Sequence, residues 1–102
     1  MYTIWEPGIG FANWKSEENG IYVQEVYVAP GHRGQRWAAK LTDRCLEDAQ
    51  NRLGSKILTV YTSIGLGGNT IDMSIRAITE YGFKLLSATP EIIYFYKELK
   101  DE

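Results

Sequence analysis

Hydrophobic and polar positions along this chain switch between two periods. Ile21 to Val28 reads IYVQEVYV, with Ile21, Val23, Glu25 and Tyr27 on one face and Tyr22, Gln24, Val26 and Val28 on the other. Both faces are largely apolar, so the pattern predicts a central strand covered on both sides, with Glu25 as the odd residue. Upstream, Ile9 to Trp14 alternates weakly and reads as a strand, and KSEENG ending at Gly20 as a hairpin loop. Downstream the period lengthens. Trp37, Ala38, Leu41, Cys45, Ala49 and Leu53 recur at helical spacing, predicting a helix from about Gly34 to Leu53 with Gly54 as its stop. Lys56 to Thr62 reads as a buried strand. Asn69 is placed to cap a second helix carrying Ile71, Ile75 and Ile78, which Gly82 ends. FKLLS and IIYFYKEL then form two strands around the turn ATPE. The order is β-β-α-β-α-β-β, a mixed α/β (α+β) fold.

Composition narrows the class. The 102 residues suit a single domain spanning 1–102, and 44% hydrophobic content supports a packed core. A formal charge of −2 gives no global field for nucleic acid. No apolar run reaches the roughly 18 residues of a membrane span. MYTIWEPGIG lacks the basic and apolar regions of a signal peptide. One cysteine, Cys45, fits a reducing compartment, so a cytoplasmic location is expected. With one histidine and one cysteine, no metal site is expected.

The stretch VYVAPGHRGQRWAAKL, Val26 to Leu41, changes the picture. A strand stops at Pro30, glycines and arginines crowd together, and a helix starts. Helix N-termini carry unpaired amides and a partial positive charge, which favour anions. Gly31 and Gly34 permit tight turns, while Arg33 and Arg36 add charge-assisted donors. Arg36, Lys40 and Arg44 recur every four residues as a basic stripe. This clustering in an acidic chain predicts a phosphate-bearing ligand. A tight turn before an exposed helix face explains it as well.

VQEVYVAPGHRGQRWAAKL resembles the acetyl-coenzyme A loop of the GNAT family of N-acetyltransferases. There a V-x-P strand exit leads into R-G-x-G-x-[GA] and a helix. Val28 and Pro30 match the exit, Arg33 and Gly34 the loop, and Ala38 its last small residue. NTIDMSIRAITEYGFKLL is similar to the family's second motif through Asn69, Gly82 and Phe83. The resemblance implies a GNAT-like, largely antiparallel sheet with two main helices and acetyl-CoA as cosubstrate. It implies binding by the backbone of Val26, Tyr27 and Val28, by Arg33, Gly34, Gln35, Arg36, Trp37 and Ala38, and by Asn69. The acceptor is an amine of a protein lysine, an N-terminus or a small molecule.

The sequence departs from the family at several points. Arg36 stands at the central loop glycine. Ile78 stands where a tyrosine commonly serves as general acid. The family's first strand and first two helices, which help form the acceptor site, find no counterpart. The chain is then a minimal member, a homodimer whose partner supplies the missing wall, or a degenerate relative that keeps the fold as a binding or structural protein, of a kind also met in phages. Glu25 is the candidate general base; a locally satisfied glutamate is the alternative. Tyr81, beside Gly82, is a candidate acid, with packing as its alternative. Cys45, on the apolar helix side, is assigned to packing rather than to nucleophilic attack. Trp5 and Trp14 are expected at a sheet edge or a dimer contact.

Overall fold

A computed structural model of the chain describes residues 1–54, 57–65 and 71–99. Six strands form one sheet: β1 (Tyr2–Glu6), β2 (Gly10–Glu17), β3 (Gly20–Val28), β4 (Thr59–Gly65), β5 (Lys84–Ala88) and β6 (Ile92–Glu98). Their spatial order is β1-β2-β3-β4-β6-β5. β3 and β4 run parallel, joined through α1 (Trp37–Leu53), and the other pairs are antiparallel. α2 (Ile71–Tyr81) connects β4 to β5. The mixed, mostly antiparallel sheet with two helices is the expected class.

The element order differs from expectation at the start. Tyr2–Glu6 forms a strand that pairs with β2 from Tyr2↔Trp14 to Glu6↔Gly10, turning at Gly8 (φ 78°). A proline and a glycine directly after five residues mask so short an alternation. α1 begins at Trp37 rather than Gly34, because Arg36 takes the left-handed conformation that closes the loop. β4 begins at Thr59, later than Lys56; Ser55 and Lys56 lie outside the described residues.

Both helices pack on one face of the sheet. The core there contains Trp14, Ile21, Val23, Leu41, Cys45 and Val60, each at most 1% exposed. Trp14 is therefore a core residue and not an edge cover. Its indole Nε1 donates to Asp48 Oδ2 of α1 at 2.9 Å, which satisfies the buried donor. The stop of α1 is as predicted: Gly54 has φ 61° and its amide donates to Gln50. Gly20 is required by a close strand approach, since a Cβ there would lie 1.8 Å from the Thr59 carbonyl oxygen.

The face assignment of β3 needs correction. Asn13 pairs with Glu25, but Trp14 pairs with Val23, so Gln24 is an extra residue in β3. Such a bulge shifts the alternation by one position. Ile21 and Val23 face the helices before it; Val26 and Val28 do so after it. Glu25 and Tyr27 are turned to the opposite face, where both are exposed. The strand is central, but its second half is uncovered on that side.

Candidate functional site

The bulge lies where β3 and β4 part. Their pairing ends at Val23↔Thr62. The Val23 carbonyl accepts a hydrogen bond from Thr62 Oγ1 at 2.9 Å, so this buried acceptor is paired as the strands diverge. Beyond it a slot of about 370 Å³ opens between the strands and is floored by α1 and α2. Gln24, Glu25 and Val26 form one wall, Ser63 and Ile64 the other.

A second cavity, a groove of about 550 Å³, runs along the end of β3. It shares Val26, Ala38 and Ala77 with the slot, so the two are contiguous. The strand exit contributes Val26, Tyr27 and Val28; the loop contributes His32, Arg33, Gly34 and Arg36; the helix start contributes Trp37 and Ala38. Sequence reasoning placed these residues together, and the structure does so. Gln35 is exposed and stands outside the groove lining. Asn69 lies outside the described residues, with the rest of 66–70.

Local chemistry explains the groove's character. Gly34 has φ 82° and Arg36 φ 64°, which turn the loop sharply into α1. The first backbone bond of α1 runs from the Lys40 amide to the Arg36 carbonyl at 3.1 Å, so helix geometry leaves the amides of Trp37, Ala38 and Ala39 without intrahelical acceptors. No side chain caps this end, and no acidic residue stands in the first turn. Both features suit an incoming anion. Arg33 Nε donates to the Val28 carbonyl at 3.1 Å, which ties the loop to the strand exit.

The predicted basic stripe divides. Arg44 is engaged elsewhere: its Nη1 lies 2.7 Å from Glu6 Oε2 and 3.2 Å from the Trp5 carbonyl. Lys40 lies over the Trp37 ring, 4.4 Å from its centroid, and neither Lys40 nor Arg44 lines the groove. Arg76 takes their place from α2, with Glu80 beside it. Among the described residues, Arg33, Arg36 and Arg76 have no carboxylate partner, whereas Arg44 and Arg52 do. Arg76 escaped sequence reasoning because it lies forty positions from Arg36 in the chain. Its place on the same helix as Ile78 is the only signal it left.

The candidate catalytic residues both reach the slot. Glu25 lines it, and Oε1 accepts from Asn13 Nδ2 at 3.2 Å. The apolar surroundings that simple alternation predicts for Glu25 are absent, because the bulge carries it to the open face. Tyr81 lines the helix side. Its hydroxyl donates to Asp43 Oδ1 at 2.5 Å, and its ring and carbonyl meet Lys97. Burial, then the hydrogen bond to Asp43, pushes the Tyr81 hydroxyl well above the ordinary tyrosine range. Ile78 lines the slot as an aliphatic wall. Cys45 is buried, and burial pushes its thiol up to about 12, which fits packing.

Comparison with known proteins is decisive on family. The family model for the acetyltransferase (GNAT) family matches residues 3–69. The chain belongs to the GNAT acetyltransferase family. GNAT-fold structures resemble it over most of its length. Ard1 from Thermoplasma volcanium is 16% identical with a TM-score of 0.73, covering 91% of this chain and 64% of its own. The ribosomal-protein-S18-alanine N-acetyltransferase from Escherichia coli is 13% identical with a TM-score of 0.69, over 96% of this chain and 67% of its own. PaiA N-acetyltransferase from Thermoplasma acidophilum, solved in complex with coenzyme A, is 20% identical with a TM-score of 0.68, over 89% and 54%. At these identities the likeness shows the fold. The chain spans about two thirds or less of the length of these relatives. No curated protein matches it in sequence. No helix among the described residues is long and apolar enough to cross a membrane.

Proposed function

We propose that this GNAT chain is an N-acetyltransferase that moves the acetyl group of acetyl-CoA directly to an amine. The observation that carries the reading is the continuity of an anion-suited groove with a slot between splayed strands. The residues fit the group. The uncapped start of α1, with Arg33, Arg36 and Arg76, suits a diphosphate. The part of β3 beyond Val23, which has no β4 partner, offers backbone groups to an amide-bearing arm.

Acetyl-CoA, when bound, would supply an activated acyl thioester, and transfer forms the C–N bond as the C–S bond breaks, with coenzyme A leaving as a thiolate that takes the second proton of the acceptor nitrogen to become the free thiol. Glu25 receives the proton that the amine must lose, held in place by Asn13. Val23, Val26 and Ile64 line the slot with apolar surface, which limits water near the reacting carbon. Direct transfer suits a chain whose one cysteine is a buried packing residue.

A second reading is favoured by Ile78 and by the tie between Tyr81 and Asp43. It is a coenzyme A-binding protein without turnover, in which no described hydroxyl in the slot is poised as an acid. An assay of free thiol release from acetyl-CoA over a panel of primary amines separates the two. The transferase reading expects amine-dependent thiol release that Glu25→Gln lowers by roughly 100-fold, within the usual range for a general base. Saturable coenzyme binding with no amine-dependent release establishes the second reading.

A further inference from the structure

The sheet face turned away from the helices carries a pattern that the coenzyme groove leaves unexplained. Two rows of side chains cross β1, β2 and β3 side by side. One row is polar: Thr3 Oγ1 donates to Asn13 Oδ1 at 2.8 Å, and Asn13 Nδ2 donates to Glu25 Oε1 at 3.2 Å. The other is aromatic: Trp5 and Phe11 have ring centroids 5.1 Å apart, and Phe11 and Tyr27 5.6 Å. Strand register sets both rows, through Thr3↔Asn13↔Glu25 and Trp5↔Phe11↔Tyr27. Two strand rises separate Glu25 from Tyr27, about 7 Å. The aromatic row spans two strand spacings, about 9–10 Å.

This face is open. Trp5 is 63% exposed and Tyr27 43%. The polar row ends at the slot, because Glu25 belongs to both. Asn13 engages Oε1 of Glu25, and no described side chain engages Oε2. Among the described residues that line the slot, Glu25 is the only acidic one. A carboxylate with a free oxygen complements one ammonium group. The rings beside it, Phe11 stacked on Tyr27 and Trp5 tilted against Phe11, complement a flat apolar body.

We infer that this face binds the amine acceptor, and that the acceptor is a primary amine carried on an aromatic or similarly flat apolar group. The inference rests on the transferase reading above. The ammonium meets Glu25 at the slot, and Oε2 takes its proton so that the nitrogen lone pair can attack. The ring lies against Tyr27 and Phe11, with Trp5 closing the far end.

The test is a titration of the full chain, with and without coenzyme A, followed by calorimetry and by the part of the tryptophan emission that Trp5→Phe removes, since Trp14 and Trp37 also emit. The probes are 2-phenylethylamine, n-butylamine and 2-phenylethanol. The expected result is binding of 2-phenylethylamine about 10-fold tighter than n-butylamine, the gain from burying the larger apolar group. Trp5→Ala should reduce that roughly 10-fold preference to about 2- to 4-fold, whereas Trp5→Phe keeps most of it. Glu25→Gln should weaken both amines and leave 2-phenylethanol unchanged. Trp5 is exposed, so its variants test the face without emptying the core. Equal affinity for the two amines, an unchanged amine affinity in Glu25→Gln, or no saturation by 2-phenylethylamine in either state overturns the inference. So does a concentration-dependent dimer that Trp5→Ala abolishes, which assigns the face to a second copy of the chain. Amine binding is read without turnover. Failure of coenzyme A to bind therefore counts against the transferase reading alone, and loss of amine preference against this face alone.

Discussion

Arg36 is held at φ 64°, ψ 23° at the start of α1, where the family loop has glycine. For an L-residue with a Cβ this conformation costs roughly 1–2 kcal/mol. Two substitutions separate the backbone from the side chain. Arg36→Ala and Arg36→Gly both remove the guanidinium, but only glycine removes the Cβ. Glycine also gains freedom in the unfolded chain, which offsets about 0.4–1 kcal/mol of the relief. The net expectation is that Arg36→Gly is more stable than Arg36→Ala by about 0.5–1 kcal/mol. For a chain of this length that is about 2–8 °C in Tm. Differential scanning calorimetry without ligand measures it. Coenzyme A affinity should fall equally in both variants, by roughly 10- to 100-fold if the guanidinium holds a phosphate through charged hydrogen bonds. Equal stability of the two variants refutes the backbone argument. Tighter coenzyme binding by Arg36→Gly than by the unaltered chain refutes the role given to the side chain, and shows Arg36 to be an obstruction.

Other expectations are independent of that one. Gly20→Ala places a Cβ 1.8 Å from the Thr59 carbonyl and must push β4 away from β3. Urea unfolding should show a loss above about 3 kcal/mol, from overpacking and broken ladder bonds. Leu41→Ala removes a fully buried side chain of α1 and should cost about 2–5 kcal/mol in the same assay. Cys45 gives a pH dependence. Its thiol rises from 9.0 to about 12 on folding, so its contribution is complete below pH 9 and is lost as pH rises from 9 towards 12. The urea midpoint should drop over that interval, and Cys45→Ala should remove the part of the drop between pH 9 and 10, while the part above pH 10 that the raised Tyr81 hydroxyl contributes remains. Tyr81→Phe removes the hydrogen bond to Asp43 and should cost about 1 kcal/mol of stability, read from the urea midpoint.

The coenzyme end of the site was more legible in the sequence than the acceptor end. Residues from Val26 to Ala38 are contiguous, so a strand exit, a glycine and a helix start could be read in order. The remainder depends on contacts between distant segments. The bulge at Gln24 is invisible to alternation, because nothing in IYVQEVYV marks where one residue drops out of register. It decides that Glu25 leaves the apolar face. Lys40 and Arg44 look equivalent to Arg36 at helical spacing, yet Glu6 of β1 draws Arg44 away and the Trp37 ring holds Lys40. Arg76 enters the groove only because α2 packs on the same face of the sheet as α1. The strand Tyr2–Glu6 was hidden by its shortness, and its pairing turns Trp5 outward beside Phe11.

The central claim is that the start of α1, with Arg33, Arg36 and Arg76, holds the diphosphate of coenzyme A next to the splayed strands. Calorimetric titration of the full chain with coenzyme A at low and high salt tests it most directly. Saturable one-to-one binding is predicted, weakened by salt as charged contacts are screened and weakened again by Arg76→Ala. A Tm rise should accompany it, worth about 2.7 kcal/mol when ligand stands at 100 times Kd. No heat and no Tm rise at millimolar coenzyme A, from a chain that unfolds cooperatively, contradicts the account.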